Sequence, residues 1–489
     1  MALTYSLKYR KLNFFQKVLL EKEGEVIIDR NSFRLKGKGA QDTGERIWFA
    51  DIREMSIKDD QMSFLTYGKD RYVLSGFSNL FESFLKDFMR VRNEFMAENL
   101  FMKVGMLYHE YDCSAEIVNS FGKIINKGRS RIQFYEGSIV VIPEIRECFV
   151  IYLDFLKHHE FDEDDYILNL YLDNGNTVRV SKLGTSFEDC VQTLESLLGK
   201  MYGRIVNNLK EVLPGLDETT LLKLAYRLKG GRALPFSSLK KIHEDLPLKL
   251  MDLAFSNNPA MLEKAKILRD EGGDENFYLS FSFFTRADNH EIITKSWFIC
   301  AVPAKNIVAF AMTSNPQDSA IYFFRIIMQK GDAKEKLSAK IMELDQAMVI
   351  FKGDFSPVYK DRRELRKSRY KTALKKMSFL RLLRKSLLTR NVAVGGQDFK
   401  AQLDHVYERA MTLEPVAAPI LKQGAGSATV GRAIEAKTVA EIGTELKAVQ
   451  NEQTVKAPTT ENKAESKTNV EQDSMAKAKP RKKPSTAKQ

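Results

Sequence analysis

The chain has 489 residues, a length that suggests two to four domains rather than one core. Hydrophobic residues make up 44% of it and aromatic residues 10%, which excludes wholesale disorder. Its four cysteines, Cys113, Cys148, Cys190 and Cys300, are too scattered for a disulfide framework or a cysteine-rich metal site. We therefore expect a reduced, cytoplasmic protein. With no secretory signal pattern and no apolar run of about 18 residues, we expect any membrane contact to be peripheral.

The net charge of +12 is unevenly distributed along the chain. Residues 1–359 contain 48 basic and 50 acidic residues, so this part is nearly neutral. Residues 360–390, the basic segment, contain 13 basic residues and 2 acidic ones. Residues from 422 onward add 13 basic and 8 acidic residues. Charge concentrated in this way indicates a dedicated attachment surface rather than a generally basic domain.

Residues 24–92 have the pattern of several short strands followed by one helix. Apolar runs typical of strands lie at 25–35, 46–52, 62–67 and 71–75. The helix that follows carries one apolar face, made of Leu80, Phe81, Phe84, Leu85 and Phe88. Strands at short intervals, closed by a single helix, predict a small barrel-like sheet with its open end plugged.

The same pattern recurs 106 residues further along the chain. Glu25–Leu35 falls on Arg131–Val141, and Phe84 of the helix falls on Cys190. The same offset of 106 residues aligns the strands, the turns and the helix, and only the middle loops depart from it. Self-similarity at a fixed period predicts a structural repeat.

A meander of strands, a final hairpin and one closing helix resemble the pleckstrin-homology-like superfold, and the first unit is similar to its GRAM-type branch. The residues that carry the resemblance are Gly24–Leu35, Ile47–Ile57 and Tyr72–Phe88. It covers residues 5–98 and, more weakly, 104–208. The resemblance implies an α+β protein with tandem antiparallel barrels at 1–98 and 99–208, each closed by its C-terminal helix. Such barrels usually hold peptides between the closing helix and the last strands.

The remainder of the chain divides into four predicted regions. Residues 209–272 are expected to form a helical connector, and the apolar runs within 273–352 predict a third strand-rich, PH-like unit. Residues 353–421 are expected to hold a basic amphipathic helix and a C-terminal helix. Residues 422–489 contain no aromatic residue and are predicted to be a disordered basic tail.

The basic segment is the main functional candidate. Its proposed anionic-surface-binding residues are Arg366, Lys367, Lys371, Lys375, Lys376, Arg381, Arg384 and Lys385. Its apolar face, for insertion or packing, is made of Leu374, Met377, Leu380, Leu383 and Leu387. Such a helix could lie on an acidic lipid surface, neutralise nucleic-acid phosphates, bind an acidic protein, or pack its leucines on the third unit. The sequence leaves these alternatives open.

Two other candidates are weaker. In the family that the first unit resembles, basic residues such as Arg34, Lys36 and Lys38 can hold phosphoinositide headgroups, although solvated loop charges are the favoured interpretation here. His158–Asp165 lacks the ligand spacing of a calcium or zinc site and is better explained as an acidic hairpin loop, so we expect no metal. Glycine-rich stretches at 37–42 and 424–431 do not match phosphate-binding loops.

These patterns predict a non-catalytic protein with no cofactor and no small-molecule substrate. We expect an adaptor that binds a protein partner through its PH-like units and acidic lipid through its basic helix. The alternative is a nucleic-acid- or chromatin-associated protein. Tandem barrels of this superfold also occur in histone chaperones, and Lys477–Lys483 resembles a DNA-binding or nuclear-targeting tail.

Overall fold

The computed structural model describes residues 3–13, 15–39, 41–256, 258–285, 292–313, 320–326, 333–392 and 396–412. These residues form an α+β protein with three antiparallel sheets. The predicted tail at 422–489 lies outside the described residues.

The first unit, residues 3–99, is one seven-stranded sheet and one helix. Its elements are β1 (Leu3–Leu12), β2 (Val18–Ile28), β3 (Ser32–Gly37), β4 (Glu45–Trp48), β5 (Ile52–Lys58), β6 (Gln61–Thr66), β7 (Arg71–Ser75) and α1 (Phe81–Asn99). The strand order is β4-β3-β2-β1-β7-β6-β5. Strand β1 pairs with β2 along its whole length and with β7 from Lys8 to Leu12, so the two halves of the sheet meet on β1. Phe88 of α1 packs edge-on against Phe33, which places the predicted apolar face of the helix in the core.

The second unit, residues 107–212, repeats this architecture. Its elements are β8 (Leu107–Val118), β9 (Ile124–Tyr135), β10 (Ser138–Pro143), β11 (Phe149–Tyr152), β12 (Leu156–Asp162), β13 (Ile167–Leu172), β14 (Thr177–Ser181) and α2 (Phe187–Val212). Its strand order, β11-β10-β9-β8-β14-β13-β12, matches that of the first unit. The two units thus share one strand order, and Phe84 and Cys190 are each fully buried in the core of their own unit.

The offset between the two units changes where the loops differ in length. Strands β3 and β10 begin 106 residues apart, at Ser32 and Ser138, whereas β5 and β12 begin 104 apart, at Ile52 and Leu156. The loop after β10 is shorter than the loop after β3, and the turn after β12 is longer than the turn after β5. The second change compensates for the first, which restores the offset of 106 for the last two strands and the helix.

The remaining elements form the layered domain, residues 234–412, which follows helix α3 (Glu218–Leu228). Its strands are β15 (Leu234–Pro235), β16 (Phe277–Thr285), β17 (Ile292–Val302), β18 (Ile307–Met312), β19 (Ala320–Arg325) and β20 (Leu387–Val392). Its helices are α4 (Phe236–Lys240), α5 (Leu246–Phe255), α6 (Pro259–Gly272), α7 (Ala333–Ile350), α8 (Ser356–Tyr359), α9 (Arg362–Leu365), α10 (Lys371–Lys376), α11 (Ser378–Ser386) and α12 (Gly396–Thr412). The six strands pair in numerical order.

The layered domain differs from the third PH-like unit expected at 273–352. Both faces of its sheet are covered: Phe298 and Cys300 face one core with α5, α6 and α12, whereas Trp297 and Ile299 face another core with α7 and α11. Strands buried on both faces have continuous apolar runs instead of alternating ones, as β17 and β18 do. The predicted connector and basic segment therefore belong to this domain, since they supply its helical layers and its two edge strands.

Buried polar contacts join the first and second units. Asn93 of α1 is fully buried, and its Nδ2 donates to the carbonyl oxygens of Arg146 at 2.8 Å and Pro143 at 3.3 Å. Its Oδ1 accepts from the backbone N–H of Cys148 at 3.0 Å. One side chain thus satisfies three backbone groups in the loop between β10 and β11, which fixes that loop on α1.

We expect Asn93→Ala to loosen this junction by about 2 kcal/mol, because the buried N–H of Cys148 and two carbonyls lose their partner. Amide hydrogen exchange within 143–148 measures the effect, which should exceed that of Asn207→Ala at an exposed position of α2. Equal exchange in the two variants would contradict the role given to Asn93.

Candidate anionic-surface site

The basic segment does not form the single amphipathic helix that its periodicity predicts. It contains the short helices α9, α10 and α11, followed by β20. Helix α10 ends at Lys376, the next residue, Met377, has an extended backbone (φ −77°, ψ 114°), and α11 starts at Ser378. From Leu387 the chain pairs with β19 as an edge strand. Strand pairing requires an extended backbone, so tertiary contacts override the local helical pattern here.

The apolar residues of the basic segment face the protein interior. Leu380 and Leu383 are fully buried in the core between the third sheet and α7. Leu374, Met377 and Leu387 are partly buried and pack against the same core. Of the alternatives left open by the sequence, the leucines thus follow the one in which they pack against the rest of the protein. These side chains cannot insert into a membrane in the conformation described.

Three of the predicted surface cations are used inside the protein. Lys375 forms an ion pair with Asp51, and Lys376 donates to the carbonyl oxygen of Ile52, both in the first unit. Arg384 donates to the carbonyl oxygens of Pro357 at 2.6 Å and Lys360 at 2.7 Å. These contacts hold the segment in place instead of presenting charge to a partner.

The electrostatic environment of Lys376 agrees with an internal role. Burial, together with the nearby positive charge of Arg92, lowers the pKa of Lys376 to about 8. The backbone next to it is fixed as well, because the hydroxyl of Tyr67 donates to the carbonyl oxygen of Lys375 at 2.6 Å. The basic segment is thus attached to the first unit by polar contacts and to the layered domain by apolar ones.

The remaining predicted cations are exposed. They are Arg366, Lys367, Lys371, Arg381 and Lys385. Arg362 and Arg363, near the start of the basic segment, are also exposed but were not among the predicted residues. Within the described ranges, no ion pair joins any of these seven side chains to a carboxylate. Arg384 of α11 donates to the carbonyl oxygen of Lys360 at the start of the segment. This contact brings the cations at the two ends of the basic segment near each other.

The lysines predicted as headgroup ligands in the first unit already have acidic neighbours. Lys36 Nζ lies 3.7 Å from Glu25, and Lys38 Nζ lies 3.0 Å from Glu23. Hydrogen bonds from Lys8 and Lys38 lower the pKa of Glu23 to about 2, so this carboxylate stays charged. Arg34 lies half-buried on β3. An open groove of about 620 Å³ lies beside Lys38, but its lining also includes Glu23 and Asp42, which reduces its attraction for an anion.

His158 and the four cysteines make structural contacts. His158 lies on β12, where its ring stacks on Tyr171 with centroids 4.3 Å apart. Across the described part of the chain, no group of three or more His, Cys, Asp or Glu could hold a metal ion. All four cysteines are buried free thiols, and burial raises the pKa of each to about 12. A thiol with so high a pKa is a poor nucleophile.

Neither the models of known protein families nor the curated proteins contain a match to this chain. Among the helices that the structure describes, none is both long and apolar enough to cross a membrane. The exposed cations and the two repeated units are the features of the protein from which a function can be proposed.

Proposed function

We propose that the protein is a non-catalytic adaptor that binds an acidic lipid surface through the exposed cations of its basic segment. The carrying observation is that seven exposed cations lie on a short stretch in which Leu380 and Leu383 are buried and Lys375, Lys376 and Arg384 are held by contacts inside the protein. The fold supplies a rigid support, and the exposed side chains are left to contact a partner.

The two repeated units supply the protein-binding part of this proposal. A seven-stranded antiparallel sheet with the order β4-β3-β2-β1-β7-β6-β5 and one closing helix supports a PH-like assignment for each unit. The edge strands β5 and β12 offer backbone groups for strand addition by a peptide. A protein partner on these edges and a lipid surface on the cations would together make an adaptor.

Charge alone is sufficient for attachment to an acidic membrane. A basic residue near such a surface contributes about 1 kcal/mol, so the five exposed cations among the predicted residues suffice without any leucine insertion. Because such charges are screened within about 8 Å at physiological ionic strength, binding should weaken steeply with added salt.

Nucleic acid is the second candidate, and the burial of the leucines favours it. With Leu380 and Leu383 in the core, the exposed part of the segment contacts a partner mainly through charge. Charge neutralisation without apolar contact is also how proteins bind nucleic-acid phosphates regardless of sequence.

Replacing Arg366, Lys367, Lys371, Arg381 and Lys385 together with glutamine should reduce binding to phosphatidylserine-containing vesicles by at least about 100-fold, given the contribution of each cation. Vesicle co-sedimentation measures this, and a gel shift with duplex DNA run in parallel distinguishes lipid from nucleic acid. The control variant replaces five exposed cations elsewhere, Lys223, Arg227, Lys241, Lys249 and Lys266, and so removes the same net charge. Equal losses in both variants would show that only total charge matters. DNA binding without vesicle binding would favour the second candidate.

A further inference from the structure

Helix α3 carries two large apolar side chains on the surface of the protein. Leu222 is 52% exposed and Tyr226 53%. These residues are four positions apart, so they lie side by side on the helix. They do not belong to the face that packs into the core, which is made of Leu221, Leu224, Ala225 and Leu228. Helix α3 thus has a second apolar face, which the described part of the chain leaves more than half exposed.

This second face lines a groove of about 690 Å³, which we call the α3 groove. Tyr202 of α2 also lines it, and the rings of Tyr202 and Tyr226 pack with centroids 5.6 Å apart at an angle of 31°. Ile242, which follows α4, completes the apolar lining. Three separate parts of the chain therefore contribute apolar side chains to one open groove.

Three cations border the apolar lining. Lys223 and Arg227 lie on α3, Lys241 follows α4, and all three are exposed. Among the described residues that line the groove, none is acidic. In the described part of the chain, no carboxylate forms an ion pair with these three cations, and Glu218 of α3 is paired with Lys210 at 2.9 Å. The α3 groove thus combines an apolar lining with a positively charged border.

We propose that the α3 groove binds an acidic peptide segment of a partner protein, which places an apolar side chain against Leu222 and the two tyrosines. An exposed apolar patch bordered by polar residues is typical of a protein–protein interaction site. The charge of the border selects the partner, because opposite charges across an interface attract each other and like charges disfavour binding. Carboxylates beside the apolar side chain contact Lys223, Arg227 and Lys241.

The shape and lining of the groove favour a peptide over other anions. A small molecule buries most of its surface in its pocket. Leu222 and Tyr226 remain more than half exposed, so the groove is too shallow to enclose a small molecule. Nucleic-acid bases require polar partners, which the side chains of Leu222 and Ile242 lack. A peptide needs only one apolar side chain in the groove and can extend across the surface of α3.

This inference goes beyond the proposed function, because it places a protein contact away from the strand edges β5 and β12 and from the basic segment. It requires neither lipid attachment nor strand addition. The two proposals can fail separately, since Lys223, Arg227 and Lys241 are among the cations removed in the control variant of the vesicle experiment. That variant should keep its attachment to vesicles and lose peptide binding.

The test measures binding of short fluorescein-labelled peptides to the full chain by fluorescence anisotropy. The peptides carry a central leucine or phenylalanine flanked by glutamate and aspartate. We expect Leu222→Ser to weaken binding by about tenfold, because the apolar contact with the peptide is lost. Lys223→Glu combined with Arg227→Glu should weaken it by at least about tenfold, because the border then repels the peptide.

Matched control variants change exposed residues outside the lining of the groove. Leu248→Ser removes an exposed leucine from α5. Lys249→Glu combined with Lys266→Glu changes the net charge by the same amount at exposed positions of α5 and α6. Peptide binding should be unchanged in both controls. Tyr226 is kept in all variants, because its hydroxyl also donates to the carbonyl oxygen of Lys157 at 3.4 Å.

Weaker peptide binding in both groove variants, with normal binding in both controls, supports the proposal. Failure of every acidic peptide to bind saturably would overturn it, and so would undiminished binding by the groove variants. Equal binding of peptides flanked by lysine and arginine would contradict the selection by charge. Equal binding of acidic peptides with a central serine would contradict the apolar contact. Single-stranded DNA that binds more tightly than the peptides and depends on the same residues would reassign the groove to nucleic acid.

Discussion

Replacing Arg232 with methionine is expected to lower the free energy of unfolding of the layered domain by about 3–5 kcal/mol, because it leaves a buried carboxylate without its partner. Arg232 Nε donates to Asp345 Oδ2 at 3.1 Å, and its guanidinium also forms an ion pair with Asp173. Asp345 lies on α7 with its side chain almost fully buried, and Asp173 follows β13 of the second unit. One side chain thus joins the second unit to the layered domain.

The pKa of Asp345 makes this penalty depend on pH. Burial raises that pKa to about 6, although the charge of Arg232 opposes the shift. Arg232→Met removes the charge that opposes the shift, so the pKa of Asp345 rises further in the variant, and its carboxylate takes up a proton as the pH falls, which removes the buried charge. The destabilisation should therefore be largest near neutral pH and smaller near pH 5.

Urea unfolding at the two pH values measures the penalty, and hydrogen exchange in α7 localises it, since a chain of this size need not unfold in one step. The control is Lys240→Met, which breaks the exposed pair of Lys240 with Asp274 and should cost no more than about 1 kcal/mol. An Arg232→Met variant no less stable than this control would show that the Arg232 cluster does not hold the domains together.

The sequence predicted the two repeated units well because their information is local. One face of each sheet is buried, so the strands alternate, and turn residues mark their ends. Phe84 and Cys190 could be aligned without any knowledge of the fold, and the structure places both in equivalent cores. The sequence also showed that the middle loops depart from the offset of 106 residues, but only the structure shows that a later change in turn length restores it.

The layered domain could not be predicted in the same way, because its sheet is assembled from distant parts of the chain. Strand β20 at Leu387–Val392 pairs with β19 across more than sixty residues, and β15 comes from the expected connector. The apolar runs of β17 and β18 were assigned to a third PH-like unit, and the helices that cover both faces of these strands could be identified only from the fold.

The candidate site was predicted in part. Leucine periodicity placed Leu380 and Leu383 on one apolar face, and both are buried, but it did not reveal what covers that face or that the helical segment is interrupted at Met377. Whether a cation of the basic segment is exposed depends on contacts with residues distant in the sequence. Lys375, for example, pairs with Asp51, more than three hundred residues away.

Leu383→Ala is expected to destabilise the layered domain by about 2–5 kcal/mol, the cost of emptying a fully buried leucine site in a packed core. Leu383 packs among residues of the third sheet and α7. Because α11 follows directly on α10, the loss should also loosen the contacts of Lys375 and Lys376 on α10 with Asp51 and Ile52. Thermal unfolding and hydrogen exchange in α11 measure the effect.

The neighbouring residue provides a matched control. Leu382 is 42% exposed, so Leu382→Ala on the same helix should change stability by less than about 0.5 kcal/mol. Equal stability of the two variants would contradict the placement of α11 on the core.

The same contrast between buried and exposed leucines of α11 applies to lipid binding. Glutamate at Leu380 and Leu383 would bury two charges and unfold α11, so any loss of vesicle binding in that variant would report unfolding rather than lost insertion. Leu382→Glu instead changes the exposed surface of α11 and leaves its core intact, so it tests whether this helix face contacts lipid.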